Sequence, residues 1–139
     1  MKKSVAVGVL RHRFDDETLV EHHDPRIAAA VAGVPAAADF DPASLARPPI
    51  PLGLVTAGRD IWLTPRWHSD AVLRACTPCV RIAHLPNGGH SILLSPLPPA
   101  AVLGEVEGQL LADPPGFSRS QLPEVDRKIA SFFRQHLLP

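Results

Sequence analysis

The stretch LGLVTAGRD at residues 52–60 decides the predicted fold of this chain. Its first six residues are almost wholly apolar, which is typical of a strand buried on both faces of a parallel sheet. Gly58 then turns the chain and places Asp60 just beyond the strand. The apolar run at residues 27–34 suggests another buried strand, and the more mixed run at 80–85 suits a strand nearer a sheet edge. We therefore expect about three parallel strands.

Helix signals fall between and after these runs. The pairs Asp-Pro at 41–42 and Thr-Pro at 64–65 each place a helix-capping side chain before a proline, which is favoured at the first helical position. The second of these helices is expected to end near Cys76. Residues 95–118 form a long excursion, with a helix predicted over residues 100–111.

The last segment has the clearest helical periodicity. Glu124 and Lys128 are spaced for a favourable i,i+4 pair on the charged surface of this segment. The pattern predicts a C-terminal amphipathic helix. Because strands and helices alternate along the chain, we predict the α/β class, with a parallel sheet and crossover helices. The apolar residues at helical spacing are Leu122, Val125, Ile129, Phe132, Phe133 and Leu137.

Composition narrows the classes of partner. The chain has 139 residues, enough for one domain, and its 14 basic and 14 acidic residues cancel. A nucleic-acid partner is not expected, since such binders show a basic excess. No apolar run approaches the roughly 20 residues that span a bilayer, and no secretory cleavage site follows the apolar run near the N-terminus. Two cysteines make no disulfide framework, so we predict a cytoplasmic protein without membrane contact.

Two loops carry residues suited to acid–base chemistry. Asp60 follows the second strand, and His90 follows the third strand after an Asn-Gly-Gly turn. In parallel α/β sheets, reactive groups gather beyond the carboxyl ends of the strands. A carboxylate in that position holds the histidine Nδ1–H and leaves Nε2 free to take a proton from a nucleophile. The order of these residues after successive strands predicts an acid–histidine pair.

These motifs resemble the dienelactone-hydrolase-related branch of the α/β-hydrolase superfamily. The resemblance covers residues 23–139, the C-terminal half of such a domain, and leaves residues 1–22 poorly matched. It implies an esterase or lactonase-like serine hydrolase with Asp60 as the triad acid and His90 as the triad base. The motifs that carry it are HDPRIAAAV at 23–31, FDPASL at 40–45, GRD at 58–60, LPNGGH at 85–90, DPPG at 113–116 and the terminal helix with its two phenylalanines.

The sequence departs from this family at the nucleophile. The family places a serine upstream in a G-x-S-x-G turn, and no serine here has those flanking glycines. The glycine-containing loop that supplies an oxyanion-hole amide is also missing. Ser4 precedes an apolar run instead of ending one, and Ser91 belongs to the histidine loop. The pair therefore has no recognisable nucleophile to activate within this sequence, which leaves open whether the chain alone is an enzyme.

Other candidate residues favour structural roles. Cys76 and Cys79 form a C-x-x-C that closes a helix, so two small thiols in a turn are expected in preference to a redox motif or half a zinc site, for which His84 is the conceivable third ligand. The adjacent histidines at 22–23 are candidate metal ligands, but the sequence shows no second motif that would complete a metal site. The tryptophans at 62 and 67 are assigned to packing, with a pocket near Asp60 as the alternative.

The sequence is consistent with three functions. The first is a serine-hydrolase segment that acts on a small-molecule ester or lactone, with no cofactor and no metal. The second is a non-catalytic α/β remnant that binds or self-associates through an exposed strand edge at residues 27–34. In that case residues 4–10 either leave the edge open or fold back to cover it. The weakest is a metal or redox module around Cys76 and Cys79.

Overall fold

The computed structural model describes residues 22, 24–38 and 40–138. The strands in this part are β1 (Ala30–Gly33), β2 (Leu52–Ala57) and β3 (Val80–Leu85), which form one sheet in the order β1-β2-β3 with both pairs parallel. The α/β class and the parallel sheet are therefore confirmed. The segment at 1–22 lies outside the described residues except for His22. The helices are α1 (Pro42–Leu45), α2 (Ser69–Ala75), α3 (Glu105–Leu111) and α4 (Leu122–Leu137).

Strand β2 is the centre of the sheet and is covered on both faces. Leu54 and Val55 are fully buried and belong to different apolar clusters, because successive side chains of a strand point to opposite faces. The predicted boundaries of this doubly buried strand match the structure. On one face Val55 joins Ala57, Leu85, Ile92, Leu122 and Val125; on the other Leu54 joins Ala37, Val72 and Cys76.

Strand β1 differs from its prediction. The run at 27–34 was expected to be a strand buried on both faces, but β1 has four residues, all of them half-buried. Among the described strands it lies at the edge of the sheet and pairs with β2 alone, so it has no second described neighbour of the kind that covers a fully buried strand. Val34, the residue after β1, has φ 42°, a conformation that β-branched residues rarely adopt. Ile27, at the start of the predicted run, is 51% exposed.

The two proline-led helix starts behave differently. Asp41 caps α1 as predicted, since its Oδ1 accepts a hydrogen bond of 3.1 Å from Ala43 N. Thr64 and Pro65 occupy the predicted N-cap and first positions, but the Thr64 side chain makes no capping bond and the turn that follows is a 3₁₀ helix, Pro65–Trp67, instead of an α-helix. His68 then departs from helical backbone angles, with φ −120° and ψ −97°, and α2 begins at the next residue.

The C-terminal region also departs from simple periodicity. The helix predicted at 100–111 is split into a 3₁₀ turn and α3, because Gly104 adopts an extended conformation with ψ 174°. Helix α4 buries Leu122, Val125 and Phe132. Glu124 pairs with Arg127 in place of the predicted Lys128, at 3.0 Å between Nε and Oε2, and this guanidinium holds the pKa of Glu124 below its ordinary value.

The cysteines are joined to each other, which corrects the prediction of two free thiols. Cys76 and Cys79 form a disulfide that links the end of α2 to the start of β3, with their Cα atoms 5.4 Å apart. Disulfides persist mainly in oxidising compartments, so the cysteines no longer favour a cytoplasmic location. Within the described ranges, no helix has the length and apolar character needed to cross a bilayer.

Candidate active site

The loops that follow β2 and β3 are joined by backbone hydrogen bonds. Gly58 N donates to Leu85 O and Arg59 N donates to Gly88 O, each at 2.9 Å. Gly58 is required by this close approach, because a Cβ there would overlap the carbonyl oxygen of Pro86. The sheet edge and these bonds therefore fix the two loops relative to one another.

Asp60 is held by the turn that follows Gly58. The residue is 3% exposed, and its Oδ1 accepts hydrogen bonds from the backbone N–H groups of Trp62 and Leu63, both at 2.9 Å. Two backbone donors on one oxygen fix the orientation of the carboxylate and offset the cost of burying it. The other oxygen is left to point across to the β3 loop.

The imidazole of His90 contacts this second oxygen of Asp60. The distance from His90 Nδ1 to Asp60 Oδ2 is 2.9 Å, and the carboxylate side chain has no exposed surface. Because an ionised carboxylate only accepts hydrogen bonds, Nδ1 must carry the proton, and in the neutral ring Nε2 is then an acceptor. The imidazole is 24% exposed, so a proton donor can approach it. The structure thus brings together the two residues that the sequence singled out.

A cavity of about 480 Å³ opens beside the imidazole. Its size lies within the range of small-molecule sites. The carboxylate of Asp113 in its wall is paired with Arg119, and Arg59 in the same wall donates to Pro115 O at 2.9 Å. Besides His90, its walls are formed by Arg59, Ile61, Trp62, Gly89, Gln109, Leu110, Ala112, Asp113, Pro114 and Pro115.

His90 also lines a second, mostly apolar cavity of about 320 Å³. Gly33 and Val34, at the carboxyl end of β1, form part of its wall together with two leucines of the histidine loop and two at the end of α3. His90 therefore lines both a cavity bordered by the Asp60 loop and one bordered by the end of β1.

None of the described serines donates to His90. Ser91 is 1% exposed, and its hydroxyl donates to Leu111 O at 2.9 Å, so it is committed to the loop as the sequence suggested. Ser44 Oγ donates to Asp41 O at 2.7 Å within α1. Ser4 lies outside the described residues. The acid–histidine pair is thus present without a serine nucleophile in the described part of the chain.

The tryptophans have separate positions. Trp62 lines the larger cavity and is 41% exposed, which places it with the pocket alternative. Trp67 is 60% exposed and carries the Arg66 guanidinium 4.7 Å from its ring centroid. Neither matches the packing role predicted from the sequence.

The residues considered as metal ligands do not come together in the described part of the chain. His84 Nδ1 lies 2.8 Å from Thr56 Oγ1, and the cysteine sulfurs are bonded to each other. His23 lies outside the described residues. Over the ranges 24–38 and 40–138, with His22, no group of three or more metal-ligating side chains occurs.

Sequence reasoning missed the residues that link the histidine loop to the excursion. Arg119 binds Asp113, Ser91 and Leu94, which lie up to 28 residues away in sequence. Gly89 approaches Pro114 so closely that a Cβ would contact the proline ring at 2.8 Å. The second glycine of the Asn-Gly-Gly turn was a visible signal, since it indicates a close approach of other atoms.

Comparisons of the chain with protein-family models, with curated proteins and with solved structures found no match.

Proposed function

We propose that this chain supplies the acid and histidine of a serine-hydrolase site related to the dienelactone-hydrolase branch of the α/β-hydrolases. The observation that carries the proposal is the 2.9 Å contact between buried Asp60 Oδ2 and His90 Nδ1. It lies at the carboxyl edge of a parallel sheet, where such sites form. On this proposal residues 23–139 correspond to the C-terminal half of the family's domain.

The chemistry follows from the orientation of the imidazole. Asp60 holds Nδ1–H, so His90 Nε2 accepts the proton of a hydroxyl as its oxygen attacks the carbonyl carbon of an ester or lactone. The buried carboxylate stabilises the imidazolium that forms. The imidazolium then gives its proton to the leaving alkoxide as the carbonyl re-forms. The apolar cavity beside His90 receives the acyl group.

The nucleophile comes from outside the described residues. A segment that lies along the free edge of β1 brings its end to Gly33 and Val34, which border the smaller cavity against His90. A hydroxyl at that point would lie at the cavity that His90 and the end of β1 share. In this proposal, cofactors and metals take no part in the reaction.

Acyl transfer to an added alcohol tests this function without a serine in the site. We expect the protein to speed transfer of the acetyl group from p-nitrophenyl acetate to trifluoroethanol, because His90 Nε2 accepts the proton of the alcohol. Replacing His90→Gln should lower the rate roughly tenfold, below the usual effect of a general base because the alcohol is not held in place. Fluorine NMR measures the trifluoroethyl acetate formed.

His136→Gln is the matched control. His136 is an exposed imidazole on α4, with its ring centroid 4.5 Å from that of Phe132. Free imidazoles also react with activated esters, and this variant removes one while leaving the site intact. Equal rates for the His90 and His136 variants would show that the acyl transfer comes from surface imidazoles, and the proposed function would fail.

A second candidate is self-association without catalysis. Ala30 N and Val34 N donate to β2, so by alternation along the strand the N–H groups of Val31 and Gly33 point to the edge on which no other described strand lies. Unpaired groups of this kind pair with another strand. Two copies related by a twofold axis would join their β1 strands in antiparallel orientation.

Sedimentation velocity at increasing protein concentration tests the second candidate. Association through β1 predicts a growing dimer fraction that Val31→Pro removes, because proline deletes an outward N–H and no bond to β2. A monomer at all concentrations would exclude this candidate and leave the edge to another segment.

The proposed chemistry also indicates the kind of partner, whereas the location of the protein is a separate question. The proposed partner is a small ester or lactone, and the absence of a nucleic-acid or membrane partner stays a prediction. The cytoplasmic location also stays a prediction, and the Cys76–Cys79 disulfide argues for an oxidising compartment.

A further inference from the structure

The guanidinium of Arg119 joins the histidine loop to the excursion near the candidate site. Its Nε and Nη2 donate to Asp113 Oδ2 and Oδ1 at 2.7 and 2.8 Å, a two-pronged pairing with the excursion. Its Nη1 donates to Leu94 O at 2.6 Å. Nη2 also reaches Ser91 O and Ser91 Oγ, both at 3.3 Å. The side chain is 28% exposed, so these bonds are partly shielded from water.

The bonded partners lie next to His90 in the chain and in the wall of the larger cavity. Ser91 directly follows His90, and its own hydroxyl donates to Leu111 O at the end of α3. Asp113 belongs to the wall of the larger cavity, next to the proline that touches Gly89. The guanidinium therefore connects the backbone after the histidine to the wall that faces the imidazole.

We propose that Arg119 is a positioning residue that holds His90 in line with Asp60 and sets the distance between His90 and the cavity wall. Asp60 fixes the ring through Nδ1, and Arg119 fixes the backbone one residue further on. Its planar fork of N–H donors binds the Asp113 carboxylate and the backbone of the histidine loop at once, in a fixed two-pronged geometry that the ammonium of lysine lacks. The consequence for acyl transfer rests on the proposed function, whereas the effect on ring orientation does not.

Arg119→Lys tests the inference, with Arg127→Lys as its control. Both arginines pair with a carboxylate, but Arg127 lies on the surface with 70% of its side chain exposed and touches only Glu124 within the described contacts. We measure the NMR signal of the His90 Nδ1 proton and its exchange with water, together with acyl transfer and unfolding. Charge is kept in both variants, so any difference reports the lost fork.

We expect Arg119→Lys to speed the exchange of the His90 Nδ1 proton about tenfold, as loss of one charge-assisted hydrogen bond would. His90-dependent acyl transfer should fall by a similar factor. Arg127→Lys should leave both readings unchanged. A purely structural role would instead change unfolding alone, with proton exchange and acyl transfer as in the unmodified protein, and that result would overturn the inference.

Asp113→Asn provides a second variant with a milder change. It keeps one acceptor for the guanidinium and leaves the bonds to Ser91 and Leu94, so exchange of the His90 proton should rise by less than in Arg119→Lys. If His90→Gln leaves acyl transfer unchanged, the proposed function fails, but proton exchange still decides the role of Arg119. Exchange unaffected in both variants would refute that role.

Discussion

Ile92→Ala is expected to lower the free energy of unfolding by about 3 kcal/mol, within the range for a large apolar side chain removed from a core. Ile92 is fully buried and packs with the cluster formed by β2, β3 and α4. The loop that carries His90 is anchored to the sheet by this side chain, so its truncation leaves a cavity beneath the site. Urea unfolding followed by circular dichroism measures the change.

Two neighbouring substitutions make this prediction specific. Leu94 lies two residues further along the same loop and is 50% exposed, so Leu94→Ala should change stability by less than about 0.5 kcal/mol. Ile92→Val removes one methylene and should cost about 1 kcal/mol. A cost for Ile92→Ala no greater than that for Leu94→Ala would contradict the placement of Ile92 in the core.

Asp60→Asn is expected to remove at least nine-tenths of the His90-dependent acyl transfer, roughly the tenfold effect assigned to the base itself. The backbone N–H groups of Trp62 and Leu63 require an acceptor, so the amide oxygen should face them and the amide NH₂ should face His90. The imidazole would then accept at Nδ1 and carry its proton on Nε2. Such a ring cannot take a proton from an alcohol at Nε2.

Asp70→Asn is the control for this substitution. Asp70 pairs with Arg81 at 3.1 Å and its side chain is 41% exposed, so the same chemical change occurs away from the imidazole. We expect acyl transfer in this variant to equal that of the unmodified protein. If Asp60→Asn also retains full acyl transfer while remaining folded, the carboxylate does not control the imidazole.

Local signals account for what the sequence predicted. The runs at 52–57 and 80–85 became β2 and β3 with those boundaries, because their apolar character and flanking turns are encoded within a few residues. Asp60 and His90 each lie in the loop that follows one of these strands. Because the two strands are parallel neighbours, their loops bring the two residues together. Strand adjacency and residue order were sufficient to predict the pair.

The missed features depend on distant neighbours. The run at 27–34 looks buried in composition, but burial required a strand on its other side that the described sheet does not contain. Arg119 gives no local sign that it reaches Ser91 or Leu94, since those contacts exist only after the excursion folds back. The C-x-x-C spacing allowed a thiol pair, a metal site and a disulfide alike, and only the positions of Cys76 and Cys79 distinguish them.

The tautomer of His90 in the unmodified protein is the most direct test of the account. Long-range proton–nitrogen NMR correlations of the imidazole at neutral pH identify which ring nitrogen carries the proton. We predict a protonated Nδ1 in contact with Asp60 and an unprotonated Nε2, the form that can act as a base. A neutral ring with its proton on Nε2 would contradict the proposed acid–histidine pair.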